Sequence, residues 1–227
     1  MQTIYIMDIR PLAHLEEQLA AHLQPDRRQK MRQYLLVEDR LRCLAGGLLL
    51  KHIAHGREIS YGKYGKPFLR EGPHFNLSHA GDYACLAVSS EAPLGIDIEL
   101  HRAEDYLSLG ETAFHPYEAA FLRENPTPER FYFIWTLKES YAKMFGTGFS
   151  MEPSSYCVLS EKMHFATKFP ARLPYNSELF FRTFSIFENY TISLCAHEQI
   201  NACIEFIDPV KLATTPRPLR PRAENSY

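Results

Sequence analysis

From Gly95 to Glu99 the chain reads Gly-Ile-Asp-Ile-Glu, apolar and acidic residues in strict alternation, a pattern that fits an extended strand with two unlike faces. Side chains two apart share a strand face, so Ile96 and Ile98 enter a core while Asp97 and Glu99 point together to the other side. Like charges side by side on one strand face are costly unless a cation lies between them. A second segment, Trp135-Thr-Leu-Lys-Glu-Ser-Tyr-Ala-Lys143, has helical spacing, and residues four apart stack on a helix. Trp135, Glu139 and Lys143 therefore form one line. If that helix crosses the strand, three carboxylates and a lysine converge. Hard oxygen donors of this kind suit Mg2+, which binds a few carboxylates together with waters and phosphate oxygens.

Each element alone has an ordinary explanation. Glu139 and Lys143 stand in the favourable order for a weak helix-surface ion pair, and Asp97 and Glu99 also fit a solvated strand face. The two segments together are far more specific than either.

The 227 residues suffice for one large domain or two smaller ones with a real core. No run approaches the roughly 20 apolar residues that span a bilayer, and the start of the chain reads as a first strand and not as a signal peptide. A cytoplasmic protein with no membrane partner is expected. The cysteines at 43, 85, 157, 195 and 203 are odd in number, widely spaced and mostly among apolar neighbours, as buried reduced thiols are. His52 and His55 lack the second pair of a structural zinc site, so packing or surface roles are expected there. Residues 1–70 hold 12 Lys and Arg against 7 Asp and Glu, whereas residues 71–130 hold 3 against 11. The first region can receive phosphates and the second can hold a cation. Aromatic and basic residues do not interleave in a nucleic-acid-binding motif, so no nucleic-acid partner is expected.

Along the chain, Pro25 to Tyr34 reads as a short proline-started helix and Val37 to His55 as a longer one, with Leu41, Leu44, Ala45, Leu48 and Leu49 on its apolar face. Gly46-Gly47 weakens that helix and so implies close packing against a partner. Tyr61 to Pro67 is turn-rich. Strands are expected at Phe75–His79, Tyr83–Ser89 and Leu94–Leu100, with Ala80-Gly-Asp82 as a hairpin turn. The second half repeats this plan weakly: a short helix over His115–Arg123, a long one over Pro128–Gly146, then β-rich segments at Tyr156–Leu159, Leu179–Phe187 and Tyr190–Ala196, with Glu188-Asn189 as a turn. The expected fold is α+β, a pseudo-twofold duplication of two similar halves, each a small antiparallel sheet packed with a long helix. The halves are 1–104 and 105–213, with the carboxylates meeting at their seam and a proline- and arginine-rich tail, 214–227, expected to be disordered.

The order Tyr64-Gly65-Lys66-Pro67, Phe75-Asn76-Leu77-Ser78-His79, Gly95 to Glu99 and Trp135 to Lys143, followed by Gly146-Thr147-Gly148, resembles the surfactin-synthetase (Sfp) type of 4'-phosphopantetheinyl transferase over residues 1 to about 160. That resemblance implies a monomer that transfers 4'-phosphopantetheine from coenzyme A, as co-substrate, to a serine hydroxyl of an apo acyl carrier or peptidyl carrier protein, releasing adenosine 3',5'-bisphosphate. It implies Mg2+, or Mn2+ in its place, on Asp97, Glu99 and Glu139. Glu139 would also serve as base, its two roles not separable from sequence, and Lys143 would neutralise charge on the β-phosphate or protonate the departing phosphate oxygen. Arg27, Lys30, Arg42 and His79 match positions that hold the 3'-phosphate. Lys66, Pro67 and Ser78 would border the adenine through backbone groups, and Lys138 would contact phosphate or help place the helix. Trp135 is expected to fill core.

Two other readings remain at this stage. A metal-dependent phosphodiester hydrolase could use the same carboxylates but leaves the basic first region without a purpose. A non-enzymatic coenzyme A-binding module is disfavoured because every expected charged position is intact.

Overall fold

The computed structural model describes residues 1–146, 151–159, 168–172 and 178–214. The tail from 215 onward and the Thr147-Gly148 element lie outside these residues.

The first sheet is built on β1 (Gln2–Asp8). This strand pairs antiparallel with β5 (Tyr83–Ser89), β5 pairs antiparallel with β4 (His74–Ala80), and β10 (Cys203–Phe206) adds to the other edge of β1 in parallel. The first sheet is therefore mixed and not purely antiparallel, because a late strand returns to it. In the second sheet the order is β6 (Leu94–Leu100), β9 (Tyr190–Ala196), β8 (Glu178–Phe184), β7 (Lys168–Arg172), all antiparallel. A two-stranded hairpin, β2 (Ser60–Tyr61) and β3 (Pro67–Phe68), stands apart from both.

Alternation along the strands sorts the core into three parts. Met7, Ala84 and Leu86 face α3 (Val37–Ala54) and meet its Leu41, Leu44, Leu48 and Leu49. Ile4, Ile6, Cys85 and Ala87 face the other way and meet Ile96, Ile98, Ile192 and Leu194 of the second sheet. On the far side, α6 (Pro128–Phe145) lays Phe131, Ile134, Leu137 and Tyr141 over the second sheet and Cys195. Each sheet thus carries one long helix on one face and shares a core with the other sheet on the opposite face.

Local sequence explains the ends of the helices. Thr127 accepts a hydrogen bond from the Arg130 amide and Pro128 takes the first helical position of α6, while Gly146 at φ 67° terminates it. In α5 (Pro116–Glu124) His115 and Glu118 form a reciprocal capping box. Asn189 at φ 59° and Gly81 at φ 50° make the turns expected at those positions. Close contact between α2 (Pro25–Arg32) and α3 depends on Gly46 and Gly47: a Cβ at Gly47 would lie 2.4 Å from a Leu23 methyl and 2.9 Å from Arg27 Nε.

Several elements differ from the sequence-based expectation. Tyr156–Leu159 is not a strand; Tyr156 and Val158 are tied instead to side chains beneath α6. Helices α1 (Glu16–Ala20), α4 (Tyr106–Ala113) and α7 (Pro209–Thr214), with strands β7 and β10, are additions to the expected elements. Sheet membership does not divide at residue 104, since β6 belongs to the second sheet and β10 to the first. Among the described residues no helix is long and apolar enough to cross a membrane. The five cysteines are free, with Cys43, Cys85 and Cys195 buried and Cys203 exposed.

Candidate active site

The two sheets face each other along edge strands β4 and β6, which are joined by side chains and not by a backbone ladder. Asn76 Oδ1 accepts from the Ile96 amide at 2.9 Å, and Ser78 Oγ accepts from the Ile98 amide at 3.3 Å. Directly above, α6 rests on β6 at very short range. A Cβ at Gly95 would lie 2.0 Å from the Ser140 carbonyl oxygen and 2.5 Å from the Met144 nitrogen. Only glycine permits that approach, and it brings the acidic face of the strand under Trp135, Glu139 and Lys143.

Asp97 is the centre of the arrangement. It is 2% exposed, and its Oδ1 accepts from Lys143 Nζ at 2.5 Å and from Ser78 Oγ at 2.9 Å. The other oxygen, Oδ2, is buried without a hydrogen-bond partner among the described residues. Lys143 Nζ also donates to Ser78 Oγ at 2.9 Å. One hydroxyl thus donates once and accepts twice, which exhausts its capacity. The Ser78 side chain is consequently occupied with holding Asp97, Lys143 and β6.

Glu99 accepts from Trp135 Nε1 at 3.3 Å. Burial, and then the neighbouring Asp97 carboxylate, push its pKa up to about 7. Glu139 is raised for the same reasons in the same order. Asp97 itself is raised by burial, with Lys143 and the Ser78 hydroxyl pulling the other way. Burial tends to discharge Lys143, but attraction to Asp97, then Glu139 and Glu99, outweighs it and holds the amine as a cation. Three carboxylates here face one ammonium.

That imbalance bears on whether a divalent cation fits. The donors are hard oxygens of the kind that Mg2+ binds, one of them a buried atom with no hydrogen-bond partner among the described residues, and burial raises the pKa of all three carboxylates. Among the described residues no three His, Cys, Asp or Glu side chains are gathered tightly enough to enclose an ion, and the ammonium of Lys143 is the cation at Asp97.

The basic residues Arg42 and Arg27 are near enough to His79, which follows Ser78 on β4, for their charges to act on it. His79 is exposed to solvent, yet enough atoms surround it that burial lowers its pKa, followed by the charges of Lys143, Arg42 and, more weakly, Arg27. Arg42 donates to the Gly81 carbonyl at 2.9 Å and pairs with Asp39 at 2.7 Å. Arg27 Nε donates to the Cys43 carbonyl at 3.2 Å. Lys30 is exposed on α2, and its charge, with that of Arg27, is felt at Cys43. Pro67 and Lys66 border a small cavity of about 70 Å³ that His74, Phe75 and Leu94 also line. The Lys66 ammonium reaches across to the end of α6.

Lys138 requires a correction. It is 1% exposed, and its Nζ lies 2.6 Å from Glu118 Oε2 and 2.6 Å from the Tyr156 carbonyl. It faces away from Glu139 into the interior, where no phosphate reaches it, so of its two expected roles only placement of the helix is left. Sequence reasoning also missed its partner Glu118, which is fully buried and further accepts from the His115 and Val158 amides. Nothing in the pattern around Glu118 except its place in a capping box marked it out. Trp135 fills core against Phe131 as expected, but its indole N–H also orients Glu99. The Ser78 hydroxyl was missed because a serine on a strand carries no spacing signal.

Comparison with known proteins adds an independent line. The profile of the 4'-phosphopantetheinyl transferase superfamily matches residues 93–195, from the start of β6 through α6 almost to the end of β9. A 4'-phosphopantetheinyl transferase of Bacillus subtilis is 32% identical over 220 residues, covering 90% of this chain and 94% of that protein. The 4'-phosphopantetheinyl transferase Sfp of Bacillus subtilis (strain 168) is 30% identical over 202 residues, covering 82% and 88%. The 4'-phosphopantetheinyl transferase HetI of Nostoc sp. is 34% identical over 156 residues, covering 61% and 65%.

Proposed function

The chain belongs to the 4'-phosphopantetheinyl transferase superfamily and is an enzyme of that class; from this premise we propose that it moves the 4'-phosphopantetheine arm of coenzyme A to a serine hydroxyl of an apo acyl or peptidyl carrier protein, leaving adenosine 3',5'-bisphosphate. The observation that carries this reading is the convergence of Asp97, Glu99 and Glu139 with Lys143 beside a cationic surround at His79. A pyrophosphate ester needs both: counter-charge at the reacting phosphorus and an anchor for its distal phosphate.

In this reading His79, Arg42, Arg27 and Lys30 receive the 3'-phosphate; Arg42 keeps unused guanidinium donors for it beyond those given to Gly81 and Asp39. The carrier serine oxygen forms a bond to the β-phosphorus of coenzyme A as the bond from that phosphorus to the bridging oxygen breaks. Glu139 takes the serine proton. Its raised pKa makes it a stronger base than an ordinary carboxylate. Lys143, held as a cation, neutralises the charge that develops on the departing phosphate. Mg2+ held by Asp97, Glu99 and Glu139 would supply further charge neutralisation and alignment of the pyrophosphate oxygens. The free cysteines fit a reducing cytoplasm, and a site built within one chain fits a monomer.

Mass spectrometry of apo carrier protein incubated with coenzyme A and Mg2+ tests the proposal. A gain of one phosphopantetheine arm is expected. No gain with any of several carriers, or free phosphopantetheine released with the carrier unmodified, would overturn it.

A further inference from the structure

The β2–β3 hairpin is too short to be stable by itself, since an isolated two-stranded ribbon is marginal in water. It is closed by a hydrogen bond that the Gly62 amide donates to the Lys66 carbonyl at 2.9 Å and by a turn with Gly65 at φ 78°. The Lys66 side chain then leaves the hairpin and crosses to α6. Its Nζ donates to the Lys143 carbonyl at 2.7 Å and to the Met144 carbonyl at 2.8 Å. These oxygens belong to the last turn of an 18-residue helix that ends at Gly146, where backbone carbonyls have no partner within the helix and the dipole favours a cation. Gly146 lies under the same side chain: a Cβ there would be 3.0 Å from Lys66 Cδ.

The geometry points to Lys66 as a positioning residue: its ammonium caps the carbonyl of Lys143 itself and ties the hairpin to the catalytic helix. The inference rests on the reading above, in which the hairpin borders the donor and Lys143 acts at the phosphate. The tie makes the seating of one depend on the placement of the other. Two of the three ammonium donors go to helix carbonyls, so the observed contacts of this side chain are with α6. Burial pulls its pKa down to about 8, so the cap is a cation kept at some cost.

Lys66→Met and Lys66→Arg, with Lys143→Ala alongside, test this by steady-state transfer kinetics and by hydrogen exchange of the donor-free protein. Lys66→Met is expected to lower kcat about tenfold or more, with KM for coenzyme A changed less than about threefold, because a slight misplacement of a reacting group costs rate. Exchange should quicken both in the hairpin and in the last turn of α6, and Lys66→Arg should recover most of both effects. A Lys66→Met that raises only KM, or leaves exchange in α6 unchanged, overturns the inference. If Lys143→Ala keeps the wild-type rate, the assigned role of Lys143 fails instead, while the exchange result still decides whether the tie exists.

Discussion

Lys143 Nζ lies 2.5 Å from Asp97 Oδ1, while Oδ2 of the same carboxylate is buried with no hydrogen-bond partner among the described residues. One end of Asp97 is thus neutralised from α6, and the other is left for a cation or a solvent molecule. Because Asp97 holds the Lys143 ammonium that meets the developing charge, Asp97→Asn and Lys143→Met should each lower transfer by more than about a hundredfold. The double variant should be little worse than either single one, since groups that act as a unit are not additive. Rates within a few-fold of wild type in folded single variants would contradict the assignment.

The stability of the metal-free protein should depend on pH in a stated direction. Glu99 titrates near 7 when folded against 4.5 for an ordinary glutamate, so the folded state keeps a proton that the unfolded chain has released. Stability then falls as pH rises from about 4.5 to about 7. Glu139 and Asp97 are shifted in the same direction and deepen the effect. Thermal melts across this window should show wild type losing Tm relative to Glu99→Gln as pH rises in the absence of divalent cation, a difference that removes the opposite contribution of His52, His79 and His101, whose pKa values burial lowers. Added Mg2+ should raise Tm more above the window than below it, because ionised carboxylates bind it. A Tm difference between metal-free wild type and Glu99→Gln that does not change with pH through the window would contradict this account.

Gly95→Ala should be among the most damaging single-methyl additions in the chain. The new Cβ would meet backbone of α6 at 2.0 Å, and a helix backbone cannot rotate aside as a side chain can. A loss of about 4 kcal/mol or more is expected, in the range reserved for severe core disruptions. Urea denaturation reads it directly. By contrast, a Cβ at Gly65 meets nothing within 4 Å, but its φ of 78° makes Gly65→Ala strained by about 1 kcal/mol.

The strand of Asp97 and the helix of Lys143 were legible in the sequence because each carries a clean period, two for the alternating strand and four for the helix line. Their crossing was legible only as a condition. What brings them together is Gly95, whose meaning lies in an atom it lacks. Lys138 shows the opposite difficulty: it stands beside Glu139 in sequence, yet one residue along a helix is a turn of about 100°, enough to point it into the core and away from the site. Strand β10 was missed because its order in the sheet is set by a partner at the other end of the chain. The tie from Lys66 to α6 was illegible for the same reason, since the two lie 77 residues apart.

Arg42 is the residue through which the donor's 3'-phosphate should be felt most simply. It stands where its charge reaches His79, and it is anchored by Gly81 and Asp39 and so is pre-oriented. Arg42→Ala should raise KM for coenzyme A about tenfold or more, as loss of a charge-assisted contact predicts, and barely change use of dephospho-coenzyme A. Parallel steady-state assays with the two donors provide the measurement. Equal losses with both would place the 3'-phosphate elsewhere.

The buried pair of Glu118 and Lys138 separates structure from substrate binding. With side chains 0% and 2% exposed and 2.6 Å between charged atoms, removing one partner strands the other in the interior, which costs about 3–5 kcal/mol. Glu118→Gln and Lys138→Met should each lose stability on that scale. The combined Glu118→Leu, Lys138→Met variant should regain much of it, because well-packed apolar pairs often replace buried ion pairs at little cost. Coenzyme A affinity should then be close to wild type in the double variant, since Lys138 Nζ faces Glu118 and the Tyr156 carbonyl and not the donor. Isothermal titration with coenzyme A on the refolded double variant decides the matter: a large loss of affinity in a protein of restored stability would return Lys138 to the phosphate-binding set.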